Sequence, residues 1–212
     1  VFGERIYSIK KFNFDYFSLD GSSQLIAKTG YSRIGGFEIY LSRPELGSSL
    51  WETILEAGRS ENIRPGSPNI IDRVEAGLLS FGNEMTVENT PLECNMDKFL
   101  DINKEADYIG KKVLQRQIRY GIKRRIRGII YNGPKLPTIS RPLQVFDINK
   151  RTIVGSLTSG AFSPHFKRNI GVGMIKYGYW DNNKKILVNI ADQEFREGLI
   201  KDLPLILSLI HI

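Results

Sequence analysis

Ala27-Lys28-Thr29-Gly30-Tyr31-Ser32-Arg33-Ile34-Gly35-Gly36-Phe37-Glu38-Ile39-Tyr40-Leu41 decides how the first part of the chain is read. It opens as a strand end, breaks at Gly30, runs through a loop to the Gly35-Gly36 pair and re-enters an alternating segment. Side chains alternate across a strand with period two, so Phe37, Ile39 and Leu41 fall on one face and Glu38 and Tyr40 on the other. Three apolar residues bury one face, and the opposite face presents a carboxylate beside a phenol. Two glycines just before that carboxylate allow a backbone or a flat ligand to approach closely. One reading is a hairpin with a solvated polar face. The other is a pocket in which Glu38 accepts hydrogen bonds from a planar N–H/NH2 edge while a tyrosine ring packs against the ligand.

Working outward, residues 1–41 read as antiparallel β structure. Ile6, Tyr7 and Ile9, then Phe12, Phe14 and Tyr16, alternate in a strand-like way, and Asp20-Gly21-Ser22-Ser23 supplies a turn. Leu50, Trp51, Ile54 and Leu55 recur at helical spacing, which predicts a helix over Gly47–Ala57 stopped by Gly58. A short helix is expected at Ile70–Ala76, with Asn69 as its N-cap and Ile70, Ile71 and Val74 on its buried side. Residues 77–93 are loop-rich. A basic helix over Lys111–Arg119 ends at Gly121. Six short strands then follow, at Gly128–Tyr131, Leu143–Ile148, Thr152–Leu157, Ile170–Ile175, Ile186–Ile190 and Phe195–Ile200. Such a series points to a small β barrel or sandwich. Gly155, Gly160, Gly171 and Gly173 lack a phosphate-loop spacing and are read as barrel turns. The boundary between the α+β part and the barrel is placed at Arg119–Lys123.

Composition sets bounds on function. With 212 residues and 41% hydrophobic content, the chain can bury a substantial core. No apolar run approaches the ~20 residues that span a bilayer, so no membrane association is expected and a cytoplasmic location is the default. Cys94 is the single cysteine. With only His165 and His211 beside it, it builds neither a disulfide framework, a metal site nor a catalytic triad.

The net charge of +7 is unevenly placed. Residues 1–100 hold ten Lys/Arg against fourteen Asp/Glu, and residues 101–212 hold twenty against nine. The excess concentrates at Lys111–Arg127. That segment reads first as a solvated helix face, second as a surface for the acidic tail of a small-molecule ligand, and third as a phosphate-binding stripe for RNA. No aromatic stacking platform is evident in it, so nucleic acid is not expected as a partner.

Three separated blocks resemble the glycine-cleavage T-protein family of folate-dependent aminomethyl- and methyltransferases. Lys28-Thr29-Gly30-Tyr31-Ser32 with Phe37-Glu38-Ile39 is similar to its Arg-x-Gly-Tyr-Thr signature and the Glu-Ile that follows. Asp72-Arg73-Val74-Glu75-Ala76-Gly77-Leu78 through Gly82-Asn83-Glu84, then Thr90-Pro91-Leu92-Glu93, resembles its second block. Thr158-Ser159-Gly160 with Ser163-Pro164 and Lys167-Arg168-Asn169 resembles its third.

The resemblance implies an α+β fold, with a partial folate-binding domain at 1–119 and a C-terminal β barrel at 120–206. It implies tetrahydrofolate as cofactor, with Glu38 on the pterin edge, Tyr31 lining the same pocket, and Tyr40 and Asn69 as further binding candidates. The catalytic acid of the family is expected upstream of Val1, so residues 1–212 read as an inactive C-terminal fragment. Residues 207–212 fit no family segment and are read as a non-native tail. Arg73 and Glu75, two apart on a helix, do not share a face, and are read as structural.

Two departures mark a branch. Asn69 and Lys98 stand where T-proteins of the glycine cleavage system carry an arginine and a tryptophan, and asparagine cannot reproduce an arginine fork. Gly35–Leu41, Ser67-Pro68-Asn69 and Met85–Pro91 look like the dimethylsulfoniopropionate demethylase branch. The implied reaction is methyl transfer from a sulfonium to tetrahydrofolate, with Tyr31 a candidate for cation–π contact with the donor. The alternatives are aminomethyl transfer, which brings a lipoyl carrier protein as partner, and a non-catalytic folate-binding relative.

Overall fold

The computed structural model describes residues 1–31, 35–66 and 69–206, and these form two compact units, Val1–Asn69 and Ile70–Ile212. The expected tail at 207–212 lies outside the described residues, as do Ser67 and Pro68.

The first unit is a three-stranded antiparallel sheet of β1 (Phe14–Leu19), β2 (Ser22–Ala27) and β3 (Glu38–Tyr40), with helix α1 (Leu46–Ala57). Asp20 and Gly21 both take positive φ, 47° and 73°, and Leu19 pairs with Ser22. The expected turn is thus a two-residue Asp-Gly hairpin whose twist matches its strands. Phe17 and Ile26 are buried with Ile9, and Phe2, Ile6, Phe37 and Ile39 pack against them. Leu19, Leu46 and Leu50 form an adjoining cluster with Leu41 and Ile54, so α1 buries its apolar stripe in the unit's core.

The opening is not a strand. Glu4–Ser8 is a 3₁₀ turn, because a spacing of three carries Ile6 and Ile9 into the same cluster while Tyr7 points to solvent. Phe12, counted in the second alternation, has φ 63° and lies before the strand.

The second unit holds α2 (Ile70–Glu75), α3 (Lys111–Tyr120) and a closed antiparallel barrel in the order β4-β7-β6-β5-β8-β9. The strands are β4 (Arg124–Tyr131), β5 (Leu143–Asp147), β6 (Ile153–Ser163), β7 (Arg168–Lys176), β8 (Lys185–Ala191) and β9 (Glu194–Lys201). β9 pairs back onto β4, which removes the open edges. Ile129, Tyr131, Val145, Leu157, Ile175, Ile186 and Ile200 fill its interior.

The four glycines read as turns lie inside β6 and β7. They let the two strands approach: a Cβ added at Gly173 would sit 2.0 Å from the Ser156 carbonyl oxygen, and one at Gly155 2.4 Å from that of Met174. The compact units divide at Asn69/Ile70, α2 packing on β6 and β7 so that residues 70–120 cluster with the barrel.

Candidate functional site

The sheet of the first unit has one buried and one open face. Register pairs Phe14 with Ala27 and Ala27 with Glu38, then Tyr16 with Leu25 and Leu25 with Tyr40. Directly opposed residues of antiparallel strands share a face. Phe14, Tyr16, Leu25, Glu38 and Tyr40 therefore lie together on the side away from Phe17, Ile26 and Ile39. Phe14, Tyr16 and Tyr40 are all more than half exposed. The Phe14 and Tyr16 rings meet edge to face at 6.0 Å.

Glu38 is exposed within this aromatic surface, and the Thr29 hydroxyl donates a hydrogen bond to its Oε2. Gly35 and Gly36 precede it with φ of 96° and 123°, a conformation open to glycine, and among the described residues no atom beyond their chain neighbours lies within 4 Å of where either Cβ would stand. A carboxylate with acceptor capacity, aromatic rings beside it and an unobstructed approach suit a flat ligand with an N–H-rich edge.

Of the four candidate residues, register joins Glu38 and Tyr40 on one face. Tyr31 is exposed in the segment between β2 and β3, and Asn69 is exposed at the end of the unit. Phe14 and Tyr16 were visible in the sequence only as strand alternation. Their place beside Glu38 follows from pairing across three strands.

Arg73 and Glu75 belong to the barrel unit and are buried. Arg73 forks onto Glu84, Nη1 to Oε2 at 3.0 Å and Nη2 to Oε1 at 3.3 Å, and donates to Ser159 Oγ at 2.7 Å and the Leu78 carbonyl at 2.8 Å. Ser163 Oγ donates to Glu75, and takes a hydrogen bond from the Phe166 N–H at 3.0 Å. Ser159, Ala161 and Ser163 thus present β6 to α2, with Val74, Ile170 and Val172 in the apolar seam. The second and third sequence blocks meet here in a structural staple that holds a helix on a barrel wall.

Glu93 is a further tie: its Oε2 accepts the Thr90 N–H at 3.0 Å and its Oε1 the Arg124 Nε–H at 3.0 Å. Beside it, burial, reinforced by the Glu93 charge and opposed by Arg124, pushes the Cys94 thiol up to about 11. Among the described residues, no group of three or more His, Cys, Asp or Glu side chains is arranged to hold a metal ion, and no helix is long and apolar enough to cross a membrane.

An open-faced α+β sheet followed by a closed six-stranded barrel is the architecture that comparison with known proteins finds again. Residues 5–104 match the GCVT N-terminal domain, and residues 124–202 match the glycine cleavage T-protein C-terminal barrel domain. The chain belongs to the glycine-cleavage T-protein family.

It is 40% identical over 180 residues to the dimethylsulfoniopropionate demethylase DmdA of Ruegeria pomeroyi, which covers 85% of this chain and 48% of that protein. It is 34% identical over 196 residues to an aminomethyltransferase of a Geobacillus species, covering 91% of this chain and 52% of the relative. The chain spans about half the length of these relatives. The crystal structure of glycine cleavage system aminomethyltransferase T from Bartonella henselae superposes with a TM-score of 0.78 over 94% of this chain and 54% of the other, at 21% identity, a likeness of fold.

Proposed function

We propose that the full-length protein carrying this chain transfers a methyl group from a sulfonium such as dimethylsulfoniopropionate to tetrahydrofolate. In this reading residues 1–119 contribute to folate binding and 120–206 form the accessory barrel. The observation that carries it is the open sheet face, where Glu38 stands among Phe14, Tyr16 and Tyr40.

Tetrahydrofolate, when bound, supplies N5 as acceptor of the methyl carbon, the C–S electron pair stays on sulfur as a neutral thioether, and the N5 proton leaves to solvent. Glu38 accepts the N–H donors of the pterin edge and so fixes the rotation of the ring in its plane. The aromatic side chains of the face hold that plane. A sulfonium is already an activated leaving group, so the chain's task is alignment and exclusion of water rather than proton transfer to the donor. Tyr31 offers a π face to the sulfonium cation. Asn69 and Lys98, in place of an arginine and a tryptophan, and the identity to the demethylase favour this donor over an aminomethyl group.

The test supplies the full-length protein with tetrahydrofolate and dimethylsulfoniopropionate, and separately with an aminomethyl-loaded lipoyl carrier protein. 5-Methyltetrahydrofolate from the sulfonium is the expected product. Methylenetetrahydrofolate from the carrier alone would establish aminomethyl transfer instead, and folate binding without either product a non-catalytic role.

A further inference from the structure

Eight cations and no acid lie between Lys111 and Arg127. Four are engaged internally: Lys111 donates to the carbonyls of Lys104, Glu105 and Ala106, Arg124 pairs with Glu93, Arg127 pairs with Asp202 at 2.6 Å, and the Arg119 guanidinium lies over one face of the Tyr120 ring at 5.3 Å. Arg116 and Lys123 have no ion pair among the described residues and are exposed. They line a concavity of about 840 Å³ together with Glu93, Gln117, Tyr120 and Tyr177. That volume is of the size that holds small molecules, roughly 300–1,000 Å³.

The walls are held in place. The Tyr177 N–H donates to the Lys123 carbonyl at 2.9 Å, and its ring is braced edge to face by Trp180 at 5.1 Å. The Thr90 hydroxyl donates to Gln117 Oε1 at 2.8 Å, which ties α3 to the turn that carries Glu93. The Glu93 charge is met by Arg124, so it does not cancel Arg116 and Lys123. Tyr120 and Tyr177 remain 73% and 71% exposed, and both residues line the cavity. Aromatic faces bordering two unpaired cations recognise a flat ring by stacking and an attached anion by charge-assisted hydrogen bonds.

We propose that this pocket of the barrel unit binds a small ligand that joins a flat aromatic ring to a phosphate or carboxylate, with Tyr120 and Tyr177 on the ring and Arg116 and Lys123 on the anion. Two sources share that chemistry, a nucleoside monophosphate and a p-aminobenzoyl-glutamate group. The residues involved are separate from Glu38 and its face, so the inference does not depend on the folate reading.

Calorimetric titration of the full-length protein with adenosine monophosphate, and separately with p-aminobenzoyl-glutamate, distinguishes the sources. Each titration is repeated in Glu38→Ala, which removes the other candidate site. At least one probe is expected to bind in that background. Arg116→Ala and Tyr120→Ala, both at exposed positions, are each expected to weaken it about tenfold or more with unchanged thermal unfolding. No binding of either probe at about 1 mM overturns the proposal, as does wild-type affinity in both variants. Affinity that rises only with the length of an added RNA oligonucleotide, without a monomer-sized site, also overturns it.

Discussion

Arg73 is held by four acceptors and is only 7% exposed, so its loss exposes the fold to a buried, unpaired Glu84. Arg73→Ala is expected to destabilise the barrel unit by about 3–5 kcal/mol in urea unfolding. Arg73→Lys should recover little, since an ammonium cannot reproduce the fork. Near-wild-type stability of Arg73→Ala would remove the staple from the account.

Cys94 makes a second prediction at this scale. Its folded-state value, about 11, lies above the ordinary 9.0. Its contribution to stability is therefore complete below pH 9 and is lost as pH rises from 9 through 11. Cys94→Ala should flatten the decline that begins at pH 9, leaving the later one from pH 10 through 12 that belongs to Tyr131, raised by burial from 10.0 to about 12. Thiol labelling at pH 8 should be slow in the native protein and complete in denaturant.

β6 and β7 show where local pattern stops being informative. The paired glycines lie inside strands because the backbones crowd each other, and Gly173→Ala should cost about 1–3 kcal/mol or more. Gly66→Ala, with nothing but its chain neighbours within 4 Å among the described residues, should change stability by less than about 0.5 kcal/mol. Comparable losses in the two variants would contradict the crowding argument.

The same crowding explains what could be read beforehand. The Asp20-Gly21 turn, helix α1 and the apolar strands of the barrel carry period and punctuation within a few residues. β6 continues through Thr158-Ser159-Gly160-Ala161-Phe162-Ser163, small and polar residues that do not read as strand, because Arg73 and Glu75 partner it from far away in sequence. Glu38 and Tyr40 were legible as one face of β3 by alternation alone. Phe14 and Tyr16 joined them only through register, which no local window contains.

For the molecule as a whole, the family motifs divide between two tasks. The first block, around Tyr31 and Glu38, leaves its polar groups on an open face, while the second and third turn theirs inward to bind α2 to the barrel. Only the first leaves a carboxylate among exposed aromatic side chains. The most direct test is a titration of tetrahydrofolate into the full-length protein and into Glu38→Gln, which keeps the size of the side chain but loses the charge and one acceptor oxygen. Charge-assisted hydrogen bonds of this kind are worth about 1.5–3 kcal/mol, so affinity is expected to fall by about tenfold to a hundredfold with thermal unfolding unchanged. Equal affinity in the two proteins would show that the pterin edge is read elsewhere and would contradict the assignment of this face.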